Sequence, residues 1–318
     1  MEAAERMDVL FMGTPEFAVP TVQALLDSRH ALRAVVTQPD KPAGRGRRLS
    51  APPVKQLALE NGIPCLQPAT LRGPEVVAEL GALEPEVIVV AAYGKILPPD
   101  VLAIPPKGCI NGHASLLPKY RGAAPIQWAI INGERETGVT IILMDEEMDH
   151  GPILVQRSAP IAFGETAGEL HDRLATQVAD ALLEALGGLE AGTISPVPQD
   201  HGQATFAPLL AKEDGRLDWS EPAEALVNRV RGVTPWPGAT TTLDGTPLKV
   251  WRATVGAKEA SGRPGEVVAV GDDGLSVACG RGAVLLEEVQ VAGKRRMDAS
   301  SFLRGYQVAL GTVLGDQG

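Results

Sequence analysis

The apolar and polar residues in the first two thirds of the chain alternate between short apolar runs and amphipathic stretches. The apolar runs predict buried strands, and apolar residues spaced three to four positions apart predict helices. The predicted strands cover residues 8–13, 32–37, 87–91, 109–110, 139–143 and 153–161. The predicted helices cover residues 16–26, 54–60, 74–83, 125–131 and 167–186. This alternation predicts an α/β domain with a Rossmann-like, open parallel sheet, in which the last predicted strand lies at an edge.

The last third of the chain has a different pattern, with short β-rich runs separated by turns. The predicted strands cover residues 238–243, 248–252, 265–270, 276–279 and 283–290. A helix over residues 222–231 precedes them, and a short helical turn over 299–303 follows. Asp244-Gly245 and the sequence Asp-Asp-Gly at 272–274 predict hairpins between such runs. We therefore expect a small OB-like β-barrel domain.

A segment over residues 187–204 separates the two patterns. It is rich in Gly, Pro, Thr and Gln and has no strong period, which is typical of a linker. A chain of 318 residues is also long enough for two domains. The predicted organisation is a catalytic domain over residues 1–188, a linker over 189–205 and a C-terminal domain over 206–318.

The formal net charge of the chain is −10. Binding to nucleic acid without sequence preference rests on many phosphate contacts from Lys and Arg, so this charge argues against a protein that coats nucleic acid. Segment 41–48 is a local exception. It contains four cations, Lys41, Arg45, Arg47 and Arg48, together with two glycines and no apolar period. This composition predicts a mobile basic loop.

The three cysteines, Cys65, Cys109 and Cys279, are far apart in the sequence. Their spacing predicts neither a disulfide framework nor a zinc site, and we expect no metal. The first residues mix acidic and basic groups without an apolar run, which argues against a signal peptide. No window approaches the roughly eighteen apolar residues that a membrane span needs. The expectation is a cytoplasmic protein.

Asn111, His113 and Asp149 are the candidate catalytic residues. Asn111 follows an apolar pair where a parallel strand is expected to end, and strand alternation places His113 on the same side. Asp149 follows a later strand in an acidic turn, which can equally be a solvated surface. Acyl-type transfer to an amine needs a donor for the oxyanion and a group that manages the proton of the amine. An amide, an imidazole and a carboxylate can supply both.

Neighbouring residues have structural interpretations. Cys109 is expected to pack in the core, since an apolar strand raises the pKa of a thiol and hides it from solvent. His150 is expected to be a bystander, because adjacent residues on a turn often diverge. Residues 115–118 either pack the loop or offer backbone groups to a flat heterocycle, and the pattern does not decide between these. Gly13 does not begin a complete dinucleotide fingerprint, so no nicotinamide cofactor is expected.

The sequence Asn-Gly-His-Ala-Ser-Leu-Leu-Pro over 111–118 resembles the Asn-x-His-x-Ser-Leu-Leu-Pro motif of the 10-formyltetrahydrofolate-dependent formyltransferases. In that family a catalytic Asp follows a later strand, as Asp149 does here. Further segments are similar to the branch that acts on an aminoacylated tRNA. They are residues 37–46, 121–127, 136–141, 217–219, 234–238, 250–251 and 292–294. The resemblance extends nearly from end to end.

The resemblance implies formyl transfer from 10-formyltetrahydrofolate to methionyl-initiator-tRNA, by a protein that we expect to be a monomer. It implies that Asn111, His113 and Asp149 are catalytic. We expect Asn111 and His113 to stabilise the oxyanion and Asp149 to accept the proton of the amine. The implied folate-binding residues are Ser115, Leu116, Leu117 and Pro118. The basic loop is implied to engage the tRNA, and a second basic stripe is expected in the C-terminal domain. The expected tRNA-binding residues are Lys41, Arg45, Arg47, Arg48, Lys294, Arg295 and Arg296.

Two other interpretations use the same sequence features. In the first, water replaces the amine at the same site, and the protein hydrolyses formyl-folate. In the second, the chain is a non-catalytic RNA-binding protein whose barrel forms the binding surface. A protein that only binds RNA has no need for Asn, His and Asp gathered at strand ends, which favours an enzyme.

Overall fold

The computed structural model describes residues 6–43, 48–258 and 260–315. The contacts between residues divide the chain into two compact units, each built from several segments. The first unit consists of Met1–Pro125, Glu136–Pro160 and His171–Ala207. The second unit consists of Ile126–Arg135, Ile161–Leu170 and Pro208–Gly318.

Among the described residues, the first unit contains six strands close to the positions that the apolar runs predict and three short strands, at 41–43, 48–50 and 65–66, that those runs do not predict. They are β1 (Asp8–Gly13), β2 (Ala31–Val36), β3 (Lys41–Ala43), β4 (Arg48–Ser50), β5 (Cys65–Leu66), β6 (Val87–Ala91), β7 (Cys109–His113), β8 (Glu136–Leu143) and β9 (Ile153–Pro160). The helices up to residue 191 are α1 (Val19–Asp27), α2 (Pro53–Glu60), α3 (Pro74–Gly81), α4 (Pro99–Leu102), α5 (Pro125–Ile131) and α6 (Ala167–Ala191).

Seven strands form one sheet in the order β5-β2-β1-β6-β7-β8-β9. The pairs from β5 to β7 are parallel, whereas β8 and β9 join antiparallel. The order of the parallel strands is that of a doubly wound α/β fold, which confirms the predicted Rossmann-like domain. The residues of β6 are all buried, as expected for a central strand covered on both faces. β9 lies at the edge, as predicted.

β7 is longer than the predicted strand over 109–110. It continues to His113 because β8 pairs with it, with Asn111 opposite Ile142 and His113 opposite Thr140. A Cβ atom on Gly112 would lie 2.4 Å from Cγ1 of Val178 in α6. Gly112 therefore faces α6, and strand alternation directs Asn111 and His113 to the opposite face of the sheet.

Residues 41–43 and 48–50 lie in strands, where the sequence predicts a mobile loop over 41–48. β3 and β4 pair antiparallel, with Lys41 opposite Ser50 and Ala43 opposite Arg48. The prediction of a loop is wrong at 41–43 and at Arg48, because the backbone ladder of a hairpin needs no apolar period. The predicted residues Arg45 and Arg47 lie outside the described residues.

α6 extends beyond its predicted end at residue 186 and ends at Ala191, within the segment predicted as a linker. A Cβ atom on Gly188 would lie 2.3 Å from Cδ1 of Ile194, so the chain folds back over the helix at this glycine. Later in the same segment, Val197 forms an isolated β-bridge with Ile153. Just beyond the segment, Phe206 forms another with Arg121. Part of the predicted linker is therefore bonded to the first unit. The division into domains at 188 and 206 stays a prediction.

The second unit contains an antiparallel sheet, which confirms the predicted β-rich domain. Its elements are α7 (Ala223–Gly232), β10 (Ala239–Leu243), β11 (Thr246–Val255), β12 (Val267–Gly271), β13 (Gly274–Ala278), β14 (Ala283–Val291), β15 (Met297–Asp298) and α8 (Ala299–Gly305). The order is β10-β11-β14-β13-β12, with β15 paired to β14. The hairpins at 244–245 and 272–274 are present as predicted. β10 and β12 occupy the two ends of this order, so closure into a barrel stays a prediction.

Neither a membrane-spanning helix nor a metal-binding cluster is present among the described residues. No helix among them has the length and apolar character that crossing a bilayer requires. No group of three or more His, Cys, Asp or Glu side chains in those residues is arranged to hold a metal ion.

Candidate active site

Asn111, His113 and Asp149 meet in the first unit. Nδ2 of Asn111 donates to Oδ1 of Asp149 at 3.3 Å. Nδ1 of His113 lies 3.6 Å from Oδ2 of Asp149, and these two side chains are 7% and 11% exposed. The structure therefore brings together an amide, an imidazole and a carboxylate that are separated by up to 38 positions in sequence.

Asp149 reaches this position on a tight turn after β8. Its φ of 51° lies in the left-handed region, which Asp tolerates better than most residues. Two positions later a Cβ atom on Gly151 would lie 1.8 Å from the carbonyl oxygen of Leu143. Only glycine allows the backbone to return so closely to the end of β8.

Backbone and side-chain donors orient the carboxylate of Asp149. Asn111 donates to Oδ1. The backbone N–H of Gly122 donates to Oδ2 at 2.8 Å. Each oxygen therefore has its own donor, and Oδ2 also faces the ring of His113. The segment around Gly122 thus completes a site that β7 and the turn after β8 begin.

The contacts of His113 identify which ring nitrogen is available for chemistry. Nε2 lies 2.8 Å from the carbonyl oxygen of Tyr120. A carbonyl oxygen only accepts, so Nε2 carries a hydrogen and donates it. Nδ1 is then the nitrogen that faces Asp149. The partner of one nitrogen assigns the role of the other, as is common for functional histidines.

The predicted folate-binding residues form the loop after β7, and much of its backbone is already bonded within the protein. Oγ1 of Thr140 donates to the carbonyl oxygen of Ser115 at 2.6 Å and accepts from the N–H of Leu117 at 3.1 Å. Nε2 of Gln156 donates to the carbonyl oxygen of Leu117 at 2.9 Å. Ser115 and Leu117 are buried, whereas Leu116 and Pro118 are partly exposed. The accessible part of the loop is thus mainly apolar.

The predicted tRNA-binding residues that the structure describes differ in their surroundings. In the first unit, Nζ of Lys41 donates to Oε1 of Gln38 at 2.9 Å. In the second unit, Lys294 and Arg295 are exposed in the turn between β14 and β15. Arg296 forms an ion pair with Glu288, and its guanidinium lies 4.9 Å from the centre of the Trp251 ring. Arg296 is therefore partly neutralised.

Two other polar groups near the site have structural partners. Burial raises the pKa of the Cys109 thiol to about 12, and the side chain belongs to the core of the sheet. This confirms that Cys109 packs in the core. Nδ1 of His150 lies 2.7 Å from Oδ2 of Asp145, and its ring stacks on that of His201 at 3.9 Å between centroids. These contacts are consistent with the bystander role predicted for His150.

Several residues around the site have no role in the sequence analysis. Gln199 and Arg121 support the turn that carries Asp149, and Thr140 and Gln156 support the loop after β7. Gln199 lies in a segment without a period, so no pattern indicates it. Thr140 and Gln156 are opposite each other in β8 and β9, which a pairing of the two strands could have revealed.

Comparison with known proteins identifies the family. The model of the formyl transferase family matches residues 5–186, and that of the formyl transferase C-terminal domain matches residues 209–307. The methionyl-tRNA formyltransferase of Trichlorobacter lovleyi is 53% identical over 306 residues, which cover 96% of each chain. That of Acetivibrio thermocellus is 50% identical over 310 residues, covering 97% of this chain and 100% of the relative.

Solved structures share the fold at lower identity. The sugar 3N-formyl transferase WlaRD has a TM-score of 0.67 at 16% identity, over 92% of this chain and 100% of its own. HypX from Aquifex aeolicus, solved in complex with tetrahydrofolic acid, has a TM-score of 0.63 at 22% identity, over 97% of this chain and 51% of its own. The similarity to these two structures shows a shared fold. The family itself is shown by the sequence matches. The chain belongs to the formyl transferase family, in the group of the methionyl-tRNA formyltransferases.

Proposed function

We propose that this protein transfers the formyl group of 10-formyltetrahydrofolate to the α-amino group of methionyl-initiator-tRNA, giving N-formylmethionyl-tRNA for translation initiation. The observation that carries the proposal is the convergence of Asn111 and His113 on the carboxylate of Asp149. The names of the relatives support the same reaction. The formyl donor is a co-substrate, and the reaction needs no metal.

Asn111 acts as an oxyanion donor. Attack of a neutral amine on the formyl carbon places negative charge on the formyl oxygen, and a fixed N–H aimed at that oxygen stabilises the transition state. The amide nitrogen of Asn111 has two hydrogens. One is directed at Asp149, and the described contacts leave the other for the substrate.

His113 and Asp149 manage the proton of the amine. Because Nε2 of His113 is committed to the carbonyl of Tyr120, the ring acts through Nδ1. Nδ1 lies 3.6 Å from Oδ2 of Asp149, and it acts as an acceptor in the neutral ring or, once the ring is protonated, as an N–H donor to the developing oxyanion. Asp149 accepts the proton that the amine loses, directly or through a water, and the donors from Asn111 and Gly122 keep its carboxylate in place.

The transfer forms one bond and breaks one. The amine nitrogen forms a bond to the formyl carbon, and the bond from that carbon to N10 of the folate breaks. The amine gives up one proton and N10 takes one up, so no oxidant, reductant or external base is consumed. The products are the formylated aminoacyl-tRNA and tetrahydrofolate.

Two further groups of residues are assigned to the substrates. Ser115, Leu116, Leu117 and Pro118 form the folate-binding loop, and the partial exposure of Leu116 and Pro118 supports an apolar contact with a flat ring. The basic segment 41–48 and the turn between β14 and β15 bind the tRNA. The assigned tRNA-binding residues are Lys41, Arg45, Arg47, Arg48, Lys294, Arg295 and Arg296.

The domains, compartment and assembly are assigned on the same basis. Residues 1–188 carry the catalysis and residues 206–318 contact the tRNA. The proposed compartment is the cytoplasm, as expected for an enzyme whose substrates belong to translation initiation. The proposed active form is a monomer, and a site complete within one chain is compatible with that assignment.

The test combines the protein with labelled 10-formyltetrahydrofolate under three conditions: charged initiator tRNA, charged elongator tRNA and no tRNA. Formylated initiator product with little elongator product supports the proposal. Formate release without tRNA would instead identify a hydrolase with the same site. RNA binding without turnover in any condition would identify a binding protein.

A further inference from the structure

We propose that Gln199 is a positioning residue that holds the turn of Asp149 in its catalytic geometry, with Arg121 fixing the orientation of Gln199. The inference rests on the proposed function, which it deepens by adding two residues of the same site. Both side chains are 6% exposed. All the contacts involved lie within the first unit.

The amide group of Gln199 clamps the turn on both sides of His150. Nε2 donates to the carbonyl oxygen of Asp149 at 2.9 Å and to that of Gly151 at 2.7 Å. Both hydrogens of the amide are therefore used. Asp149, the first of the two acceptors, has a left-handed backbone conformation that its surroundings must hold. The two bonds supply that restraint.

Arg121 determines which way the amide of Gln199 points. Nη2 of Arg121 lies 2.7 Å from Oε1 of Gln199. A guanidinium only donates, so the oxygen of the amide must face Arg121 and its nitrogen must face the turn. The same Nη2 lies 2.8 Å from Nδ1 of His201, which must then accept. Nε of Arg121 has no hydrogen-bond partner among the described residues, and burying an unpaired donor costs free energy.

The segment that carries Gln199 also fixes the other side of the site. The N–H of Arg121 donates to the carbonyl of Thr205 at 2.8 Å, and the N–H of Ala207 donates to the carbonyl of Arg121 at 2.7 Å. The residue after Arg121 is Gly122, which donates to Asp149. Gln199 bonds the backbone of Asp149, and the bonds of Thr205 and Ala207 to Arg121 hold the neighbouring Gly122, which bonds the carboxylate. One segment thus supports both groups of Asp149.

This arrangement assigns Gln199 an effect on turnover rather than on tRNA binding. Without its two bonds the turn can relax, and a shift of about 1 Å in a catalytic group reduces the rate on the order of 10²-fold. Gln199→Met keeps the length of the side chain but removes both donors. Gln199→Glu retains an acceptor for Arg121 and also lacks the donors. Gln203→Met is the matched control, because Gln203 is exposed and bonds only to Asp200 among its described side-chain partners.

The experiment measures single-turnover formylation of methionyl-initiator-tRNA by the full chain. Gln199→Met and Gln199→Glu should lower the rate on the order of 10²-fold with the KM for tRNA changed by less than about threefold, whereas Gln203→Met should match the wild type. In an Asp149→Asn background, Gln199→Met should change the rate by less than about threefold, because the two residues act as one unit. Multiplicative losses, or wild-type rates for both Gln199 variants, would overturn the proposal.

A second measurement does not depend on activity. The ¹⁵N chemical shift of His113 Nδ1 should move in Gln199→Met and stay in place in Gln203→Met, since the ring faces the displaced carboxylate. Thermal unfolding shows whether each variant is folded, and Gln199→Glu serves if Gln199→Met is not. If the wild type fails to formylate tRNA while the His113 signal responds to Gln199, the proposed function fails and the positioning role stands. An unchanged signal in both Gln199 variants contradicts the positioning role.

Discussion

The carboxylate of Asp149 takes a different donor on each oxygen. Oδ1 accepts from Asn111, and Oδ2 accepts from Gly122 while facing His113. Each oxygen keeps a further lone pair, so a carboxylate held in this way can still accept the proton of an attacking amine. The geometry thus separates the role of Asn111 as donor from that of Asp149 as acceptor.

Asn111→Ala removes the proposed oxyanion donor without changing charge. We expect turnover to fall on the order of 10²–10³-fold, with little change in tRNA affinity, because the interaction is made in the transition state. Steady-state kinetics measure both quantities. Asn61→Ala is the control, since Asn61 lies exposed at the end of α2. Near-normal turnover in Asn111→Ala would refute the assigned role.

The three thiols should differ in reactivity. Burial raises the pKa of Cys109 to about 12 and that of Cys279 to about 11. Burial also raises the pKa of Cys65, but this side chain is only half-buried. Because the thiolate is the reactive form, iodoacetamide at pH 8 should label Cys65 first. Mass spectrometry of the peptides checks the order, and Cys109→Ala should retain catalysis. Rapid labelling of Cys109 in the folded protein would contradict its place in the core.

The sequence alone predicts some residues of the site and not others. Asn111 and His113 follow from strand alternation within one short segment. The position of Asp149 follows from a strand end, although the acidic turn around it can equally be a solvated surface. Gln199 could not be predicted, because its contacts depend on a chain return 50 residues after Asp149 and no local period records it.

The close packing of β7 against α6 depends on a single glycine, Gly112. The missing side chain of Gly112 leaves room for Val178, and a Cβ atom there would lie only 2.4 Å from Cγ1 of that valine. Val178 is fully buried and β-branched, so it cannot turn aside easily. Close packing at this point keeps Asn111 and His113 on the opposite face of the sheet.

Gly112→Ala should therefore destabilise the protein by about 1–3 kcal/mol through overpacking. Urea unfolding measures the change. Gly81→Ala is the control, since a Cβ atom on Gly81 at the end of α3 would meet nothing within 4 Å. The destabilisation by Gly112→Ala should shrink when Val178→Ala is also present, because the clash is then relieved. Equal destabilisation with and without Val178 would show that the clash is not the cause.

Periodicity predicts the long elements better than their ends. The alternation of apolar runs and amphipathic stretches predicts the order of strands and helices in the first unit. It misses β3 and β4, whose pairing is a backbone interaction between polar segments. It also ends α6 at the glycines of 187–188, where the helix continues because Ile194 packs against Gly188. Glycines in the local sequence favour the end of a helix, but tertiary contacts can override this preference.

For the whole molecule, a net charge of −10 must be reconciled with a polyanionic substrate. Binding then depends on a few local cations and should be sensitive to salt. Arg45→Ala should raise the KM for tRNA and reduce the slope of log affinity against log salt concentration by about 1. Arg33→Ala is the control, because Arg33 is already paired with Asp8. If neither the KM nor the slope changes in Arg45→Ala, the basic segment 41–48 does not bind tRNA.

The basic residues of the second unit should contribute unequally. Arg296 is held by Glu288, and this pairing raises the pKa of Arg296 while lowering that of Glu288. A cation that is already neutralised gains little by meeting a phosphate. Arg295→Ala should therefore weaken tRNA binding more than Arg296→Ala, as measured by filter binding at several salt concentrations. The reverse order would contradict the assignment.

The account as a whole depends on Asp149 as the group that manages the proton of the amine. The most direct measurement is the single-turnover rate of formyl transfer to methionyl-initiator-tRNA for Asp149→Asn, compared with Glu146→Gln from the same acidic turn. Glu146 is exposed and should be dispensable. The account predicts that Asp149→Asn loses on the order of 10²–10⁴-fold in rate while Glu146→Gln keeps the wild-type rate. A wild-type rate for Asp149→Asn would contradict it.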